Sequence, residues 1–111
     1  MDVELLVTPD CPNESAAHAL LRRALDDVGL AIVPVATSVI DSAEHAARRG
    51  FTGSPTILVN GRDPFTSSDQ TGLACRVYIR DGRAYGIPDV RDLRRALKQA
   101  AEGEQGKDSR R

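Results

Sequence analysis

The chain opens on an apolar run, "DVELLVT" (2–8), interrupted by Glu4 and stopped by Pro9. A short run rich in Val and Leu that ends at a turn former predicts a strand at about 2–8. Beyond Pro12 the period changes. Ala17, Leu20, Leu21, Ala24, Leu25 and Val28 recur at helical spacing, which predicts one amphipathic helix with Pro12 at its first position and Gly29 at its stop. "LAIVPVATS" predicts a second strand, and Pro34 inside it marks a sheet edge, because proline has no N–H to give to a ladder. "DSAEHAARRG" predicts a second helix, with Asp41 and Glu44 at capping-box spacing and Gly50 as its end.

"SPTILVNG" predicts a third strand that closes on the Asn60-Gly61 turn, and the polar "RDPFTSSDQTGLA" a long loop. "CRVYIRDGRAY" reads as a fourth strand running into a turn at Asp81-Gly82, with a short return strand after it. "PDVRDLRRALKQA" is the last helix, with Val90, Leu93, Leu97 and Ala100 on one face. The order is β-α-β-α-β-β-α. A strand–helix–strand start implies that the first two strands pair in parallel, and the third and fourth are close enough in sequence to pair antiparallel. The expected fold class is α/β, one domain over 1–102 with a central mixed sheet and helices on its faces. The polar remainder, 103–111, has nothing to bury and is expected to be a disordered tail.

Composition narrows the function. With 15 basic against 16 acidic residues the net charge is −1, and aromatics make up only 4% of the chain. A nucleic-acid binder needs a basic excess and often a stacking platform, so no nucleic acid is expected as partner. No stretch approaches the apolar length of a membrane span and the first apolar run is too short for a signal-peptide core, so no membrane partner and a cytoplasmic location are expected. Two cysteines in a reducing compartment are more readily reduced or catalytic than a structural staple.

The candidate chemistry lies in "VTPDCPNE". If Cys11 is the N-cap and Pro12 the first helical residue, the sulfur faces the free N–H groups of Asn13 and Glu14. A helix N-terminus favours negative charge by roughly 0.3–1 kcal/mol, which favours a thiolate. Asp10 and Glu14 oppose it. The bland alternative is an inert, half-buried Cys11. Cys75 is the candidate resolving thiol. If it opens a strand antiparallel to the third, it begins at the end of the sheet away from Cys11, roughly 17 Å off, where a disulfide needs Cα atoms within about 7 Å. The loop before it is long enough to cross the domain and undo that separation. His18, two helical turns from Cys11, is read as solvated or packing and His45 as exposed, and the Cys and His spacings match no zinc pattern, so no metal is expected. The pairs Arg22-Arg23, Arg48-Arg49 and Arg94-Arg95 are read as helix-surface charges accompanied by acids.

The element order, a cysteine between the first strand and first helix, and Ser54-Pro55-Thr56 at the opening of the third strand together resemble the thioredoxin superfamily over about residues 2–102. Cys11-Pro12-Asn13-Glu14 stands where that family has Cys-x-x-Cys, and Ser54-Pro55-Thr56 where it has a cis-proline loop facing the active cysteine. The resemblance implies a thioredoxin-like fold, a cis Ser54–Pro55 bond, Cys11 as the catalytic thiol, and a substrate groove shaped by Pro12, Ser54, Pro55 and Thr56. Glu14 replaces the second motif cysteine, so the ordinary dithiol cycle within the motif is ruled out and the chain is similar to monothiol variants. The implied activity is thiol-disulfide exchange with a protein or small-molecule thiol or disulfide. It needs no cofactor beyond an external thiol such as glutathione as reductant. Two alternatives stand beside it. One is a non-catalytic module that holds a peptide or partner in the same groove. The other is a thiol-based mercury or organomercurial handler using Cys11, Cys75 and Asp10 as proton source, since the "CPN" start and late "ACR" segment also resemble small bacterial thioredoxin-like proteins, some labelled organomercurial lyases.

Overall fold

A computed structural model describes residues 1–65, 72–73 and 76–108, with side chains as far as 103. The elements are β1 (Val3–Val7), α1 (Glu14–Asp27), β2 (Val35–Val39), α2 (Ala43–Arg49), β3 (Thr56–Val59), β4 (Tyr78–Arg80), β5 (Arg83–Tyr85) and α3 (Val90–Asp108). The result is a small α/β domain with a mixed three-stranded sheet and three helices.

The sheet runs β2-β1-β3. β1 pairs in parallel with β2, from Val3 opposite Val35 to Val7 opposite Val39, and antiparallel with β3, from Val3 opposite Val59 to Leu6 opposite Thr56. β2 is therefore an edge, as its proline suggests, although Pro34 lies just ahead of the strand rather than inside it. Alternation along β1 sends side chains to both faces. Val3, Leu5 and Val7 join Ile57 and Val59 against Ala17, Leu21, Ala24 and Leu25 of α1 and Leu93 and Leu97 of α3. Leu6 points the other way, to Ile40, Ala46 of α2 and Phe51. One helix pair and one single helix thus cover the two faces, and both predicted apolar stripes are the buried ones. Glu4, the polar residue in β1, accepts from the Ser38 hydroxyl and pairs with Arg49. The Ser38 bond, with Arg49 behind it, holds the Glu4 carboxyl below its ordinary range against the opposing effect of partial burial.

Several boundaries differ from the sequence expectation. α2 is capped by Ser42, whose hydroxyl accepts from the His45 N–H (3.1 Å), and not by Asp41. Asp41 instead pairs with His45 (3.5 Å), whose ring is only partly exposed. Serine placed one residue nearer the helix outcompetes the capping-box pair. Among the described residues β3 and β4 share no ladder. β4 pairs with the return strand β5 as a separate hairpin, turned at Asp81-Gly82, both at positive φ (51° and 77°) as a two-residue hairpin turn requires. α3 is capped by Asp89, whose carboxylate accepts from the Arg91 N–H (2.8 Å), and it continues to Asp108, past the boundary at 102 expected for the ordered domain. The extension is polar and carries two glycines, Gly103 and Gly106, so neither an apolar stripe nor helix propensity accounts for it.

Candidate functional site

Cys11 lies between β1 and α1, where two proline-led turns meet. The first runs Thr8-Pro9-Asp10-Cys11. The Cys11 N–H donates to the Thr8 carbonyl (3.3 Å), and Asp10 takes φ 57°. Proline at the second position and positive φ at the third are the marks of a type II turn. The second runs Cys11-Pro12-Asn13-Glu14. The Glu14 N–H donates to the Cys11 carbonyl (3.2 Å), and Asn13 sits at φ −100°, ψ 1°, as in a type I turn. Both backbone polar groups of Cys11 are thereby committed, and the residue is fixed at the corner with its side chain half-buried against the main core.

This corrects the expected helix start. Asn13, not Cys11, is the N-cap, and Cys11 and Pro12 precede the helix. The Glu14 N–H is used by the Cys11 carbonyl rather than left to the sulfur. The second proline explains the shift: it fixes φ for a turn, and the helix begins only once that turn closes. The Asn13 side chain makes no capping bond. It packs against Gly86, where an added Cβ would stand 2.5 Å from the Asn13 amide nitrogen. The loop between β5 and α3 is thus pressed onto the start of α1.

The Ser54–Pro55 bond is cis, as the resemblance implies. It is tied to the Cys11 corner through one residue: the Thr8 N–H donates to the Ser54 hydroxyl oxygen (3.0 Å), while the Thr8 carbonyl takes the Cys11 N–H. Ser54 and Thr56 are only 1% and 2% exposed, and the Pro55 side chain is likewise buried. The Ser54 carbonyl accepts from the Arg76 N–H (2.9 Å), so it is already paired within the chain. Of the expected groove residues only Pro12 is exposed. Ser54, Pro55 and Thr56 are thus buried side chains joined to the corner through Thr8.

Beneath them lies a polar cluster that the sequence reading did not single out. Arg76 is buried. Its guanidinium pairs with Asp63, donates to the Phe65 carbonyl (3.2 Å) and the Thr56 hydroxyl (3.4 Å), and sits 4.6 Å from the centre of the Tyr78 ring. The Tyr78 hydroxyl donates to the Pro55 carbonyl (2.7 Å), and Phe65 meets the Tyr78 ring edge-on. Burial pushes the Tyr78 phenol well above its ordinary value; Arg76 works against that shift and Asp63 adds to it. Alternation in "CRVYIR" puts Arg76 and Tyr78 on one side of an extended segment, and that was the available signal. At Gly53, with φ 147°, a Cβ would stand 2.9 Å from the Arg76 Cβ and 3.0 Å from its backbone, so only glycine lets the two segments close.

Cys75 lies outside the described residues. The next residue, Arg76, donates its N–H to the Ser54 carbonyl (2.9 Å). His18 is exposed. Arg22 and Arg23 pair with Asp26 and Asp27, Arg94 with Asp27, and Arg95 with Asp92. Among the described residues no group of three or more His, Cys, Asp or Glu side chains could hold a metal ion, and no helix is long and apolar enough to cross a membrane. A cleft of about 400 Å³ lies on the β4 side, lined by Phe65, Val77, Ile79, Pro88 and Asp89 among others, and Cys11 does not line it.

Comparison with family models, curated proteins and solved structures finds no match for this chain.

Proposed function

We propose that the chain is a thioredoxin-like monothiol oxidoreductase in which Cys11 attacks a small disulfide or another soft electrophile. The parallel β1/β2 and antiparallel β1/β3 pairings support the fold reading, as does the cis bond at Ser54–Pro55. The observation that carries the site reading is the short path Cys11–Thr8–Ser54. The backbone of Thr8 links the two: it accepts from the N–H of the residue that carries the half-buried thiol and donates to the hydroxyl of the residue before the cis proline.

The chemistry balances with one protein thiol. The Cys11 thiolate attacks one sulfur of the substrate disulfide; that S–S bond breaks, a mixed disulfide with Cys11 forms, and the other half leaves as a thiolate. An external thiolate, with glutathione as the representative, then attacks the mixed disulfide. Cys11 is released, and the electrons it passed to the first leaving group are made good by oxidation of the external thiol. Cys75 is not required.

The closed Ser54 carbonyl narrows the substrate class. An extended peptide would have to share that carbonyl with the Arg76 N–H, whereas a small disulfide needs access to the Cys11 sulfur alone. That closure also weighs against the peptide-holding module. The test is glutathione-dependent reduction of hydroxyethyl disulfide by wild type, Cys11→Ser and Cys75→Ser. Activity lost in the first variant and kept in the second supports the proposal. Activity equal in wild type and Cys11→Ser removes it.

A further inference from the structure

β2 is the outer strand of the sheet, and nothing in it blunts that edge. Its sequence, Val35-Ala36-Thr37-Ser38-Val39, has no charge, proline or glycine, and natural edge strands commonly carry such residues to prevent pairing. Pro34 removes a donor only ahead of the strand. The hydrogen bonding to β1 fixes which groups face away from it. The Ile40 N–H donates to the Val7 carbonyl (2.7 Å), and Val7 stands opposite Val39. In a parallel ladder this directs the backbone of Ser38 and Ile40, and by alternation Ala36, toward β1. The N–H and C=O groups of Val35, Thr37 and Val39 therefore face outward.

The strand is also self-complementary about its centre. Antiparallel pairing with a second β2 about Thr37 sets Thr37 opposite Thr37, Val35 opposite Val39 and Ala36 opposite Ser38. The outward groups of Val35, Thr37 and Val39 all become hydrogen-bonded pairs in that register, and every cross-strand side-chain pair is a small or β-branched match. One of the large apolar side chains that the monomer leaves exposed belongs to this edge, Val39 at 50%. We propose that the chain forms a two-fold symmetric dimer by β2–β2 pairing centred on Thr37, independent of the Cys11 chemistry.

The experiment uses the full chain with Cys11→Ser and Cys75→Ser, so that no native thiol interferes. Sedimentation equilibrium should show a concentration-dependent dimer. Thr37→Lys sets two ammonium groups opposite each other at an exposed position and should raise the dimer dissociation constant by about tenfold or more, with the circular dichroism unchanged. Thr37→Cys should form a covalent dimer on mild oxidation, because hydrogen-bonded antiparallel partners lie about 5.5 Å apart at Cα, within disulfide reach. Ala36→Cys, which faces Ser38 and not itself, should not. A monomer at every concentration with no Thr37→Cys cross-link overturns the proposal. So does a dimer that Thr37→Lys leaves intact, or a cross-link formed as readily by Ala36→Cys.

Discussion

The backbone N–H of Arg76 lies 2.9 Å from the carbonyl oxygen of Ser54, and this bond joins a segment distant in sequence to the residue before the cis proline. It depends on Gly53, whose missing side chain leaves room for the Arg76 backbone. Gly53→Ala puts a Cβ 2.9 Å from a neighbouring carbon at a φ that L residues rarely adopt. The variant should lose roughly 2–4 kcal/mol of stability in urea unfolding. A loss below the error of that measurement would mean that the two segments are not in contact.

The Arg76 charge is buried and held by Asp63, itself 22% exposed at the side chain. Removing one partner of such a pair leaves the other uncompensated. Asp63→Ala should therefore cost roughly 3 kcal/mol, toward the lower end for a buried pair because Asp63 is partly solvated. Arg76→Met combined with Asp63→Ala should recover much of that loss. A double variant as unstable as the sum of the two single changes would place the two residues in separate environments.

Tyr78 links stability to pH. Its phenol is raised above its ordinary value of 10.0, chiefly by burial. The folded state then holds the proton more tightly than the unfolded state. The contribution is fully present below pH 10 and is lost as pH rises above it. Urea midpoints should fall in that alkaline window, and Tyr78→Phe should flatten the fall. The same substitution removes the bond to the Pro55 carbonyl and should cost about 1–2 kcal/mol at neutral pH. An alkaline limb unchanged in Tyr78→Phe would assign the effect to another group.

The sheet was largely legible in the sequence because period and burial agree there. β1, the stripes of α1 and α3, and the edge position of β2 all follow from where Val, Leu, Ala and Pro recur. The Cys11 corner was legible only in part. Two prolines three residues apart favour either a helix start or successive turns, and hydrogen bonds to Thr8 and Cys11 select the turns. Arg76, Tyr78 and Gly53 escaped because their meaning rests on a contact between segments far apart in the chain. A buried arginine looks like any other until its aspartate partner is in place, and a glycine beside Ser54-Pro55 looks like an ordinary turn residue.

Glu14 stands at the first position of α1, and its N–H bonds to the Cys11 carbonyl. Residues at the two ends of such a turn have Cα atoms within 7 Å or so, inside the range a disulfide needs. In a Cys75→Ser background, Glu14→Cys should close an intramolecular disulfide with Cys11 on mild oxidation and gain insulin reductase activity with dithiothreitol. Two free thiols remaining after oxidation would show that the Cys11 side chain points away from the first turn of the helix.

The most direct measurement is the reaction of Cys11 with oxidised glutathione near pH 7, followed by peptide mass mapping of native and urea-unfolded protein. Thiol chemistry built into this corner predicts a glutathione adduct on Cys11 that forms faster in the native protein than in the unfolded chain and is removed by reduced glutathione. A native Cys11 that forms no adduct, or forms it more slowly than the unfolded chain does, would contradict a catalytic role for this thiol.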